Sequence, residues 1–172
     1  MVVLENIHDP HNVSAIFRTC DAVGVPKISL VYNIEKFPKI GKKTSASAFK
    51  WVQKEKFNSI KECYSELHSR GYKIYASALT EKSKNLFNID LTDKSAIVLG
   101  NEHRGVSEEA ADLADETFMI PMFGMVQSLN VSVASAVILY EALRQRLGKG
   151  MYNQLDIKTD ELVENTELWL KK

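Results

Sequence analysis

Apolar residues fall into two kinds of pattern along this chain of 172 residues. Short unbroken runs over 2–6, 27–32 (KISLVY), 72–77, 95–99 and 116–120 predict strands buried on both faces, too short for helices. Between them, apolar positions recur at helical spacing. Val13, Ile16, Phe17, Cys20 and Val23 form one stripe; Ile60, Cys63, Tyr64 and Leu67 form another. The longest patterned stretch, IPMFGMVQSLNVSVASAVILYEALRQR over 120–146, starts as an apolar loop and turns into a helix of small residues at about Ser128. A last helix is predicted over 159–171, packing through Leu162, Trp169 and Leu170.

Local signals punctuate these elements. Asp9-Pro10 suits a helix entry that Asp9 or Asn12 can cap, and Gly24 suits its end. Ser107 can cap a short helix that ends near Leu113, with Glu108 and Glu109 at its positive end. Arg144, Arg146 and Lys149 suit the negative end of the long helix. Segment 33–48 reads as a long polar loop, 51–56 as a short strand and 82–93 as polar and irregular. Strands alternating with helices predict one α/β domain with a mainly parallel sheet flanked by helices. Ligands of such folds sit beyond the carboxyl ends of the strands. The loops from Leu79 onward, over 100–105 and over 121–127 therefore form the candidate site.

Composition narrows the function class. A 45% apolar and 26% charged chain is ordinary for a globular protein. No apolar run reaches the length of a membrane span, and no signal-peptide pattern precedes the first motif. Cys20 and Cys63 lack metal-ligand spacing and read as core residues of a reducing compartment, with no metal site expected. The net charge is zero, which argues mildly against a dedicated nucleic-acid binder. Charge is nonetheless segregated: Lys36, Lys39, Lys42, Lys43, Lys50, Lys54 and Lys56 crowd one region. There is no GxGxxG, GxxxxGK[ST] or GxSxG element, so dinucleotide, triphosphate and serine-hydrolase motifs are absent.

Several residues carry two readings. Gly100 and Gly105 bracket Asn101, Glu102, His103 and Arg104 as a turn, or as backbone that approaches a ligand closely. Arg18 reads as a surface helix pair with Asp21, worth a few tenths of a kcal/mol, roughly, or as a cation for chemistry. Asn12, Ser128 and Asn130 read as helix caps or as site residues. Ser132, Ala134, Ser135 and Ala136 indicate close helix packing.

Taken together, NIHDPHNVSAIFRTCDAVGV, IVLGNEHRGVS and the stretch over 120–146 resemble, in order and spacing, the three signature motifs of the SpoU (TrmH) family of RNA ribose 2′-O-methyltransferases, part of the SPOUT superfamily. The resemblance covers nearly everything from Val2 to Arg146. KKTSASAFKWV and the HDPHN form of the first motif are similar to the tRNA branch.

The resemblance implies a deep trefoil knot in the C-terminal part of a methyltransferase domain over 1–150, followed by a helical tail over 151–172. It implies S-adenosylmethionine as cofactor, held by Ser77, Leu79, Leu99, Gly100, Asn101, Gly105, Ile120, Met122, Ser128 and Leu129. It implies a cytoplasmic homodimer whose interface uses the first-motif helix and the 128–147 helix. Arg18 matches the catalytic arginine, with Asn12, Glu102 and Asn130 positioning it, the ribose and the loops. Because guanidinium stays protonated in proteins, Arg18 is read as stabilising and positioning the developing alkoxide rather than as a base. Many tRNA-specific relatives carry further residues before the first strand and a longer C-terminal tail. RNA contact is therefore expected from Arg18, Lys42, Lys43 and Arg104. The implied substrate is guanosine 18 in the tRNA D-loop. The alternatives are the same reaction on ribosomal RNA, or a non-catalytic RNA-binding protein on the same scaffold.

Overall fold

A computed structural model describes residues 1–40, 48–153, 163, 166, 167 and 170. The predicted sites Lys42 and Lys43, and the packing residues Leu162 and Trp169 of the predicted last helix, lie outside the described residues; its third expected packing residue, Leu170, is instead 83% exposed. The described chain is a parallel sheet of seven strands covered by helices. In chain order these are β1 (Val2–Glu5), α1 (Pro10–Ala22), β2 (Lys27–Val31), α2 (Ala48–Trp51), β3 (Gln53–Phe57), α3 (Ile60–Ser69), β4 (Lys73–Ser77), β5 (Lys84–Asn85), β6 (Ser95–Leu99), α4 (Glu108–Leu113), β7 (Glu116–Met119) and α5 (Val131–Gly148). The sheet order is β3-β2-β1-β6-β4-β7-β5, and every pairing is parallel.

The unbroken apolar runs are explained by two cores. Side chains alternate across a strand, so Val2 and Leu4 join Ile16, Phe17, Leu30, Leu99 and Ile138 on the face covered by α1 and α5. Val3 instead joins Ile60, Leu67, Ile74 and Val98 on the face covered by α3 and α4. Both cysteines are buried, and burial pushes each thiol up to about 12.

Four expectations need correction. Segment 51–56 is not all strand: residues 48–51 form a helical turn and β3 begins at Gln53, where its edge pairs with β2. Segment 82–93 is ordered: β5 pairs with β7, a 3₁₀ turn spans Leu86–Asn88, and Leu86, Ile89 and Leu91 are buried. Three apolar residues at irregular spacing anchor it, a pattern that periodicity does not register. The long helix begins at Val131, not Ser128, because Asn130 is its cap and accepts from Ser132 N. Strand β1 ends at Glu5, and Asn6 turns into the left-handed region with φ 51.

Candidate active site

Three loops leave the carboxyl ends of β4, β6 and β7 and enclose one crevice of about 1180 Å³. Ser77 and Leu79 line it from the first loop, Leu99, Gly100, Asn101 and Gly105 from the second, and Ile120, Met122, Ser128 and Leu129 from the third. Sequence reasoning missed the wall supplied by α4 through Glu108, Ala111 and Asp112. That helix lies beside the crevice only because β6 and β7 flank β4 in the sheet.

The second loop is tightly built. A Cβ at Gly100 would lie 2.1 Å from the backbone of Gly105 and Val106, so only glycine fits this close approach. Gly105 has φ +69, and its N–H donates to the Asn101 carbonyl at 2.8 Å. Asn101 is buried. Its Oδ1 accepts from His103 N at 3.0 Å and Arg104 N at 3.3 Å, while its Nδ2 donates to the Asn6 carbonyl at 2.7 Å.

Glu102 joins this loop to the first motif. Its carboxylate accepts from His8 N at 2.9 Å, Asp9 N at 3.0 Å and Asn12 Nδ2 at 3.0 Å. Asn12 Oδ1 then accepts from Asn130 Nδ2 at 3.1 Å. Burial opposes ionisation of Glu102, but the bonds from Asn12, His8 and Asp9 outweigh it and hold the carboxyl below its usual range. The two readings of the asparagines divide. Asp9 caps α1, accepting from His11 N, which leaves Asn12 for the network. Asn130 does both, capping α5 while bonding to Asn12.

Two predicted cations behave differently. Arg18 is exposed and does not line the crevice. It lies six residues beyond Asn12 on α1, about 9 Å of helix rise, and the expected pair with Asp21 is not among the ion pairs of the described residues. Arg104 does line the crevice, but its Nη2 donates to Glu35 Oε1 at 2.9 Å. The third loop carries exposed apolar side chains: Phe123 is 98%, Met125 100% and Val126 62% exposed. Among the described residues no group of His, Cys, Asp and Glu is arranged to hold a metal ion, and no helix is long and apolar enough to cross a membrane.

A parallel α/β sheet with its crevice at the strand ends, a glycine-closed second loop and an asparagine-capped third-motif helix define the class. The chain belongs to the SpoU rRNA Methylase family, whose model matches residues 1–140. Within it, the chain is 46% identical over 171 residues to a tRNA (guanosine(18)-2′-O)-methyltransferase of Thermus thermophilus, covering 99% of this chain and 88% of that protein. It is 41% identical over 169 residues to the enzyme of that name from Aquifex aeolicus, covering 98% of this chain and 80% of that one. Among solved structures, the A. aeolicus TrmH/SpoU tRNA modifying enzyme superposes with TM-score 0.93 at 40% identity, covering 99% of this chain and 87% of that chain. The SpoU methyltransferase AviRb from Streptomyces viridochromogenes, solved with AdoMet, gives TM-score 0.76 at 26% identity, covering 86% of this chain and 60% of that chain.

Proposed function

We propose that this chain is an S-adenosylmethionine-dependent tRNA (guanosine-2′-O)-methyltransferase acting on guanosine 18 of the D-loop. The observation that carries the reading is the crevice, with the Asn12–Glu102–Asn130 network joining its second and third loops to α1. The residues fit the cofactor. Loop backbone and the close approach at Gly100 suit the polar groups of a nucleoside, and Leu79, Met122 and Leu129, which line the crevice, would offer apolar surface to its ring. When bound, S-adenosylmethionine would supply the methyl of its sulfonium to the ribose oxygen, the S–CH3 bond breaking and the sulfur leaving as a neutral thioether. Ser77, Leu79, Leu99, Gly100, Asn101, Gly105, Ile120, Met122, Ser128 and Leu129 are the residues that would hold it.

Arg18 offers a fixed positive charge to the oxygen that becomes negative as the ribose 2′-hydroxyl loses its proton. That proton passes to solvent or to a phosphate of the substrate, since guanidinium does not act as a base at neutral pH. Asn12, Glu102 and Asn130 keep α1, the second loop and α5 in fixed relation, so that the oxygen is presented in line. Because Arg18 does not line the crevice of its own chain, a homodimer in which one chain's Arg18 completes its partner's site is the arrangement we favour. Exposed Val133 and Tyr140 on α5, together with Phe123 and Met125, support such a surface. RNA contact falls to Arg18, Arg104 and the lysines between 36 and 56, including Lys42 and Lys43.

The same reading assigns a deep trefoil knot to the C-terminal part, an exception among folds. It is supported by β7 entering the sheet between β4 and β5, both of which precede it in the chain. Residues 1–150 form the methyltransferase domain in this reading, 151–172 a tail, and the enzyme works in the cytoplasm. Methyl transfer from labelled S-adenosylmethionine to unmodified tRNA transcripts, mapped by nuclease digestion, tests it. The expected product is 2′-O-methylguanosine in the D-loop. Label confined to ribosomal RNA would move the substrate, and cofactor binding without transfer to any RNA would favour a binding protein.

A further inference from the structure

Asn6 is the only non-glycine with positive φ among the described residues, at 51°. It is also buried, and each of its polar groups has a partner. Its N–H donates to the Val31 carbonyl at 3.0 Å. Its Oδ1 accepts from Ile34 N and Glu35 N at 3.1 Å each, and its Nδ2 donates to Asn33 Oδ1 at 2.8 Å. Its carbonyl accepts from Asn101 Nδ2 at 2.7 Å. The exit of β1, the segment after β2 and the second loop thus meet on one residue. Asparagine and glycine are the residues that adopt the left-handed turn most readily.

Two functions hang on this joint. The turn sends the chain onward so that His8 N and Asp9 N both reach Glu102, and the Asn6 carbonyl fixes Asn101 next to Glu102. The side-chain amide does something separate: it holds residues 33–35, and Glu35 in turn holds Arg104 at 2.9 Å and lies 3.7 Å from His8 Nδ1. We propose that Asn6 is a positioning residue for methyl transfer. Its left-handed backbone keeps Glu102, Asn12 and Asn130 in register, and its amide sets the Glu35–Arg104 pair at the RNA-facing rim. This rests on the methyltransferase reading above.

Glycine and alanine separate the two functions. Glycine keeps the left-handed backbone and loses only the amide, whereas alanine loses the amide and strains the turn. Full-length Asn6→Gly and Asn6→Ala are compared with wild type in methyl-transfer kinetics on a tRNA transcript. S-adenosylmethionine binding is followed by calorimetry, and hydrogen exchange over residues 100–106 by mass spectrometry. Asn6→Gly is expected to keep kcat within about threefold while raising the KM for tRNA by roughly threefold or more. Asn6→Ala is expected to lower kcat about tenfold or more and to raise exchange over 100–106. Wild-type kcat in Asn6→Ala overturns the proposal, and so does an equal kcat loss in both variants. Should Asn6→Ala not fold, the glycine variant still decides: kcat lost, or KM unchanged, overturns it. A wild type that methylates no RNA would instead sink the underlying reading.

Discussion

The second and third loops line the same crevice, yet they are built in opposite ways. In the second, Asn101 and Glu102 are held by bonds to the first-motif loop and to neighbouring backbone. Gly100 passes Gly105 with no space for a side chain. In the third, Phe123, Met125 and Val126 stand in solvent. The chain completes one wall by itself, while the other keeps apolar side chains in solvent. A preorganised wall loses little entropy when a ligand arrives, while exposed apolar side chains gain most from being buried by something else.

The strongest way to break this contrast is at Gly100. Gly100→Ala is expected to lower stability by roughly 3 kcal/mol and to abolish S-adenosylmethionine binding, measured by denaturant titration and calorimetry; a variant of wild-type stability would mean the second loop is not rigid. Next comes Arg18→Ala, expected to reduce kcat about 10²–10³-fold with cofactor binding intact. Near-full turnover would remove Arg18 from the reaction.

Glu102→Gln sharpens the comparison further. Neutralising the acceptor of three bonds is expected to cost about 2 kcal/mol at neutral pH. The sign with pH follows from the lowered carboxyl. The contribution is fully present above the ordinary value of 4.5 and is lost as pH falls through the lower folded value. Urea melts of both proteins at several pH values should therefore converge only in acid. The smallest effect on stability is expected in the third loop. Phe123→Ser with Met125→Ser should leave monomer stability within about 0.5 kcal/mol, while sedimentation is expected to show the proposed homodimer weakened. A large loss of monomer stability would show that the third loop is part of the core.

Much of the local order was readable from neighbours along the chain. The cap at Ser107, the left-handed Gly24 just past the Val23 C-cap of α1, the apolar stripes on α1 and α3 and the buried strands are short-range matters of hydrogen bonding and periodicity. From sequence, Asn6 reads as the end of a strand because an apolar run does not announce a left-handed turn. From sequence, segment 82–93 reads as irregular because its order depends on β7 and α5: β5 pairs with β7, and Leu91 N donates to Gln145 Oε1 at 2.8 Å.

The three motif stretches make the family recognisable from the chain alone, because side-chain identity and spacing do not depend on the fold. That Glu102 would sit on Asn12, ninety residues away, could not be read in the same manner. Nor could the pairing of Arg104 with Glu35, or the absence of Arg18 from its own crevice. Those relations depend on strand order, and strand order is chosen by which faces can be buried together. Local chemistry decided what each segment becomes; packing across the sheet decided which segments meet.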